Sequence, residues 1–76
     1  MKDLIEYIAR SIVTEPDKVV VTEEENDEFG FLIKLDVAPE DKGRIIGKQG
    51  RVAQAMRTLL RVKAARSEVK VRLQIL

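Results

Sequence analysis

The 76-residue sequence has no cysteine, no histidine and no tryptophan. Without cysteine there are no disulfides and no thiolate metal sites. Without histidine the commonest general base at neutral pH, and the commonest metal ligand, are both missing. Aromatic residues are limited to Tyr7, Phe29 and Phe31, too few for a platform on which successive nucleobases stack. No apolar run approaches the ~20 residues of a membrane span. The opening Met1-Lys2-Asp3-Leu4-Ile5-Glu6 carries acids within its apolar stretch, unlike a secretory signal. These absences lead to the expectation of an intracellular, soluble protein with no membrane partner, no metal and no cofactor.

What is present is a core and a divided charge. The hydrophobic share of 45% suffices for a globular interior, and 36% charged residues of mixed sign argue against disorder. The length fits one domain over residues 1–76. Residues 1–41 carry four basic and twelve acidic side chains, whereas residues 42–76 carry ten basic ones and a single acid, Glu68. The net charge of +1 therefore hides a basic half suited to a polyanion. The alternative is that the charges only solvate the surface.

Hydrophobic periodicity gives the elements. Leu4, Ile5, Ile8, Ala9, Ile12 and Val13 recur at helical spacing over residues 3–14, and Pro16 is read as ending that helix. Val19 to Thr22 reads as a strand, Glu23 to Glu28 as an acidic connection with a turn at Asn26-Asp27. Phe31, Ile33, Leu35 and Val37 alternate with Leu32, Lys34 and Asp36 in a second strand. Pro39, Glu40 and Asp41 suit the start of a short helix that Gly47 stops near Ile46. A longer helix follows Gly50, with Val52, Ala55, Met56, Leu59 and Leu60 or Val62 expected on its buried side. Arg51, Gln54, Thr58 and Arg61 are expected on another face, and Arg57, Lys63 and Arg66 in solvent. Val69, Val71, Leu73 and Ile75 alternate with Lys70, Arg72 and Gln74 in a last strand. The order is α-β-β-α-α-β, an α+β fold with three helices on one face of a three-stranded sheet.

The turn Gly47-Lys48-Gln49-Gly50 between two helices is the most informative segment. Its glycines permit positive φ and close approach by another backbone. The free N–H groups of the next helix face the turn and favour an anion. Lys48 brings charge to the tip, Arg51 lies just beyond it and Arg44 about one helical turn before. Of Ile45 and Ile46, one is expected in the core and the other on a groove beside the turn; helix phase does not say which. Gly43, inside the short helix, suggests close packing there.

Other motifs fit less well. A P-loop needs Gly, four residues, then Gly-Lys-Ser/Thr, but Gly43 and Gly47 are three residues apart and Gln49 follows Lys48. A dinucleotide fingerprint needs three glycines after a strand. A helix-turn-helix would need Arg51, Gln54 and Arg61 to reach base edges in duplex DNA. The hydroxyls Ser11, Thr14, Thr22, Thr58 and Ser67 have no histidine to activate them, so an enzyme is not expected.

The run Val37-Ala38-Pro39-Glu40-Asp41-Lys42-Gly43-Arg44-Ile45-Ile46-Gly47-Lys48-Gln49-Gly50-Arg51 resembles the Gly-X-X-Gly segment of a KH domain, a loop that clamps about four backbone nucleotides. The α-β extension ahead of β-α-α-β resembles the type II form. The whole chain is similar to the small bacterial KH proteins of the KhpA type. That resemblance implies a cytoplasmic protein holding single-stranded RNA, a probable RNA chaperone linked to peptidoglycan homeostasis, cell wall biogenesis, cell length and cell shape. It also implies a homodimer, or a heteromer with a larger KH protein of the KhpB (Jag) type. Carried onto this sequence, it makes Gly47, Lys48, Gln49 and Gly50 the clamp, with Arg44, Ile45, Arg51 and Gln54 around it and Val69 and Val71 along the groove. A second reading makes the loop region a protein-protein contact.

Overall fold

The computed structural model describes residues 1–28 and 30–76. Three α-helices and three strands follow in the order α1 (Lys2–Ile12), β1 (Val20–Asn26), β2 (Gly30–Asp36), α2 (Lys42–Ile46), α3 (Arg51–Arg66) and β3 (Val71–Ile75). Single 3₁₀ turns occupy Pro16–Lys18, Pro39–Asp41 and Lys48–Gly50. β1 and β2 form an antiparallel hairpin, with Val21 opposite Leu35 and Glu23 opposite Ile33. β2 and β3 run parallel, with Ile33 opposite Leu73. A parallel pair cannot be joined by a tight turn. The crossover between them is the segment that carries α2, the glycine turn and α3.

The period-two pattern fixes which sheet face is covered. Val21, Ile33, Leu35 and Leu73 share one face and meet Ile5 and Ala9 of α1, Ile45 of α2, and Met56 and Leu60 of α3. At about 25 cal/mol per Å² of apolar area, this burial is the main stabilising term. The helices lie on this face as the sequence indicates, and the other face is open.

Four readings change in detail. α1 stops at Ile12, two residues early, because the N–H groups of Thr14 and Glu15 turn to the carboxylate of Asp41 at 2.9 and 3.1 Å instead of to helix carbonyls. β1 continues through the glutamates to Asn26, so Glu23 to Asn26, read as a connection, belong to the strand. An edge strand tolerates exposed acids while its backbone pairs with apolar β2. Glu23 also accepts the N–H of Lys2 at 3.2 Å and lies 3.6 Å from the Met1 ammonium, tying the start of α1 to β1. Asn26 makes the turn by accepting the Glu28 N–H at 2.7 Å.

The buried stripe of α3 is Ala53, Met56, Leu60 and Ala64, with Val52 half-buried. Ala55, Leu59 and Val62, expected inside, face solvent. The small side chains of Ala53 and Ala64 let the helix lie close to its neighbours. Nothing lies within 4 Å of a Cβ built on Gly43, so close packing does not account for that glycine. α3 ends in a Schellman arrangement. Glu68 takes the left-handed conformation (φ +57°), and the N–H groups of Glu68 and Val69 bond to the carbonyls of Ala65 and Ala64.

Candidate nucleic-acid interface

The Gly-X-X-Gly turn is built from backbone constraints at both ends. Gly47 has φ +76°, and a Cβ there would lie 2.5 Å from the Val52 side chain and 2.9 Å from the Val52 nitrogen. Only glycine fits. Gly50 has φ +74° with open space around it, so its requirement is conformational alone. Between them Gln49 also takes a left-handed conformation (φ +56°), unusual for a residue with a side chain. The Gly50 N–H closes the turn on the Gly47 carbonyl at 3.1 Å. Lys48 and Gln49 are exposed at the tip. Arg51 reaches back to the Gln49 side-chain oxygen at 3.3 Å. No side chain caps the N-terminus of α3; the Arg51 N–H donates to the Lys48 carbonyl, and the end of the helix dipole beyond it still favours an anion.

Asp41 holds the base of this turn, a role the sequence did not suggest. Its side chain is wholly buried at the start of α2. It accepts the N–H and the hydroxyl of Thr14, each at 2.9 Å, and the N–H of Glu15 at 3.1 Å. Arg44 stands 3.8 Å away, with its guanidinium largely in solvent. The carboxylate thus pins the segment after α1 to α2, one short helix from Gly47. A sequence reading sees only an acid at a helix start, because its partners are 26 and 27 residues distant.

The isoleucine pair resolves cleanly. Ile45 is fully buried in the core, and Ile46 is 44% exposed. The surface position beside the turn therefore belongs to Ile46; Ile45, carried over as a contact residue, supports the site from inside.

From the turn, α3 runs about 24 Å at 1.5 Å per residue. A cleft opens between it and β3. Its nearer part is lined by Arg57, Leu60, Arg61, Val71, Arg72 and Leu73. Its farther part, about 420 Å³, adds Ala64, Ala65, Val69, Lys70 and Glu28. Val69 and Val71 thus sit on the groove wall. Gln54 lies one turn before Arg57 on the same side of α3, which connects the clamp to the cleft. Arg57 is half-buried in this wall, contrary to its assignment to solvent. Lys63 and Arg66 are exposed beside Leu59 and Val62, on a different face. The basic half of the chain forms α2, the turn, α3 and β3, while all the acids but Glu68 lie on α1, the hairpin and the first two 3₁₀ turns with the residue before the first.

A family model described as the KhpA/KhpB KH domain matches residues 2–75. The chain belongs to this KH-domain family. It is 43% identical over 76 residues to the RNA-binding protein KhpA of Clostridium perfringens, covering all of both chains. It is 45% identical to that of Listeria monocytogenes, covering all of this chain and 99% of the relative. It is 44% identical over 75 residues to that of Treponema pallidum, covering 99% of this chain and 92% of the relative. No solved structure gave a match.

Among the described residues no group of acids could hold a metal ion, and no helix is long and apolar enough to cross a membrane.

Proposed function

We propose that this KH domain binds single-stranded RNA, with the backbone on Gly47-Lys48-Gln49-Gly50 and the following nucleotides along the α3–β3 cleft. The turn carries the reading: three left-handed residues, an exposed lysine and glutamine, and an uncapped helix N-terminus meet at one point. Its relatives' designation as RNA-binding proteins supports it. Among the described residues, those lining the cleft are aliphatic or charged and none is aromatic. Binding then rests on backbone contact and shallow packing, which suits the transient, sequence-tolerant grip of an RNA chaperone. On the sequence resemblance, the setting is the cytoplasm and the pathway cell-wall maintenance.

The partner is a second copy of the chain, or a larger KH protein of the KhpB type. Among the exposed apolar side chains, which include Tyr7, Val20, Ile46 and Leu76, Leu59 and Val62 stand together on the outer face of α3, 49% and 52% exposed. They lie away from the turn, whose tip is polar. This favours coexistence of pairing and RNA binding over a turn that serves as the protein contact.

Fluorescence anisotropy with labelled single-stranded RNA tests the clamp. Three neutralised phosphates give a log–log salt slope of about −2, a roughly 20-fold loss of affinity from 50 to 200 mM salt. Replacing Lys48 and Gln49 together by Asp lowers affinity at least tenfold, about 1.4 kcal/mol, and flattens the slope. Its melting temperature stays near the parent's, since both side chains are exposed. Arg57→Ala weakens binding and Lys63→Ala does not. A folded double variant that binds RNA as before would show the clamp to be elsewhere, and tighter binding to duplex DNA would favour the helix-turn-helix reading.

A further inference from the structure

The far end of the cleft has a chemistry that a phosphate track alone does not explain. Glu28 lines it together with Arg61, Lys70 and Arg72, over a floor of Ala64, Ala65, Val69 and Val71. A carboxylate repels phosphate, so an acidic residue bordering a groove for a polyanion calls for a ligand group that donates hydrogen bonds. Its backbone is held by the Asn26 side chain, which accepts the Glu28 N–H. The two rims are joined where the Phe31 N–H donates to the Lys70 carbonyl at 2.9 Å. Arg61 and Lys70 form no ion pair with described residues, so their donors are available.

We infer that this end of the cleft is a guanine-preferring base site, with Glu28 as the discriminating residue. The inference rests on the RNA reading of the cleft. Guanine alone among the four bases carries two adjacent donors, N1–H and the N2 amino group, that match a carboxylate's two oxygens. Its opposite edge offers O6 and N7 as acceptors, the usual partners of an arginine or lysine. Adenine and cytosine place an acceptor nitrogen beside their amino group, facing the carboxylate with a lone pair. Uracil has one donor flanked by two carbonyls. The aliphatic floor packs against the base without selecting among them. Reading an unstacked base by its edge is the general route to sequence preference in single-stranded RNA.

The test uses the full chain and oligouridylates of about ten nucleotides, each with one guanosine moved through the positions. The expected result is one register at which guanosine raises affinity roughly tenfold over uridine, the low end for a bidentate base contact. Adenosine and cytidine at that position give no gain, and inosine, lacking the N2 amino group, gives only part of it. Glu28→Gln removes the guanosine gain and raises oligouridylate affinity above the parent's, because a repelling charge is gone. Arg61→Gln reduces both. Oligouridylate bound through the turn with no guanosine gain would overturn this inference and leave the RNA reading intact. A gain that persists in Glu28→Gln, or equal inosine and guanosine affinities, would overturn the role of Glu28. No binding to any oligonucleotide would overturn the RNA reading and this inference together.

Discussion

Replacing Asp41 by Ala should unfold more of this protein's stability than any surface change near the turn. The carboxylate is buried and accepts three hydrogen bonds, two from backbone N–H groups and one from a hydroxyl. Hydrogen bonds to a charged group contribute about 1.5–3 kcal/mol each, and an abandoned donor loses about 1–3 kcal/mol if water does not reach it. Thr14 is exposed, so water recovers part of its loss. The net expectation is about 3 kcal/mol. A chain of this length has roughly 4–11 kcal/mol in total. At 4–8 °C per kcal/mol for a small domain, the melting temperature falls by about 12–24 °C. Urea denaturation followed by circular dichroism reads this as a lower midpoint at unchanged m-value. Asp41→Asn keeps one acceptor oxygen and should lose less. A double-mutant cycle with Thr14→Val, which deletes the hydroxyl bond, should show a coupling of about 1 kcal/mol. An Asp41→Ala variant melting within about two degrees of the parent, or a coupling near zero, would refute the clip.

Two further variants separate packing from conformation in the turn. Gly47→Ala places a Cβ against Val52 and should lose more than 2 kcal/mol in urea melts, well beyond the ~1–2 kcal/mol of the left-handed conformation alone; Gly50→Asn, with open space and a residue that tolerates positive φ, should lose less than about 1 kcal/mol. Light scattering should find the parent dimeric at micromolar concentration and the Leu59→Glu, Val62→Glu double variant monomeric with an unchanged melting temperature; a parent that is strictly monomeric leaves only pairing with a second KH protein.

The fold was legible where local pattern and tertiary environment agree. The alternation through Phe31, Ile33 and Leu35 marks a strand whatever it packs on, and the glycines at 47 and 50 demand a turn under any topology. The turn at the centre of the proposed site was legible for the same reason. Legibility failed where two patterns coexist. α3 carries one apolar stripe through Ala53, Met56, Leu60 and Ala64 and another through Ala55, Leu59 and Val62. Periodicity cannot rank them, so the expected buried side mixed the two, taking Met56 and Leu60 correctly but adding Ala55, Leu59 and Val62. The glutamates of β1 read as a loop because their pairing partners are on β2. Asp41 read as a dipole acid because its donors come from beyond α1. Arg57 read as solvated because a groove wall is formed by β3, 14 to 18 residues further along the chain.

The geometry of α3 connects the strength of RNA binding to assembly. One face of the helix is core, one borders the cleft, and the third carries Leu59 and Val62. On the proposed binding mode, a single cleft with about three phosphate contacts would support only modest affinity, and that affinity would decay with salt. Pairing through the third face would leave both clefts and both turns open. A strand long enough to engage the two clefts would then bind its second site intramolecularly, a gain of 10²–10⁴ without any new contact. Short oligonucleotides would not share that gain. Comparing a short and a long RNA on the parent and on the Leu59→Glu, Val62→Glu variant therefore isolates the contribution of assembly. The variant should match the parent on the short RNA and fall behind it on the long one. Equal losses on both would mean that the third face of α3 takes part in the RNA contact itself.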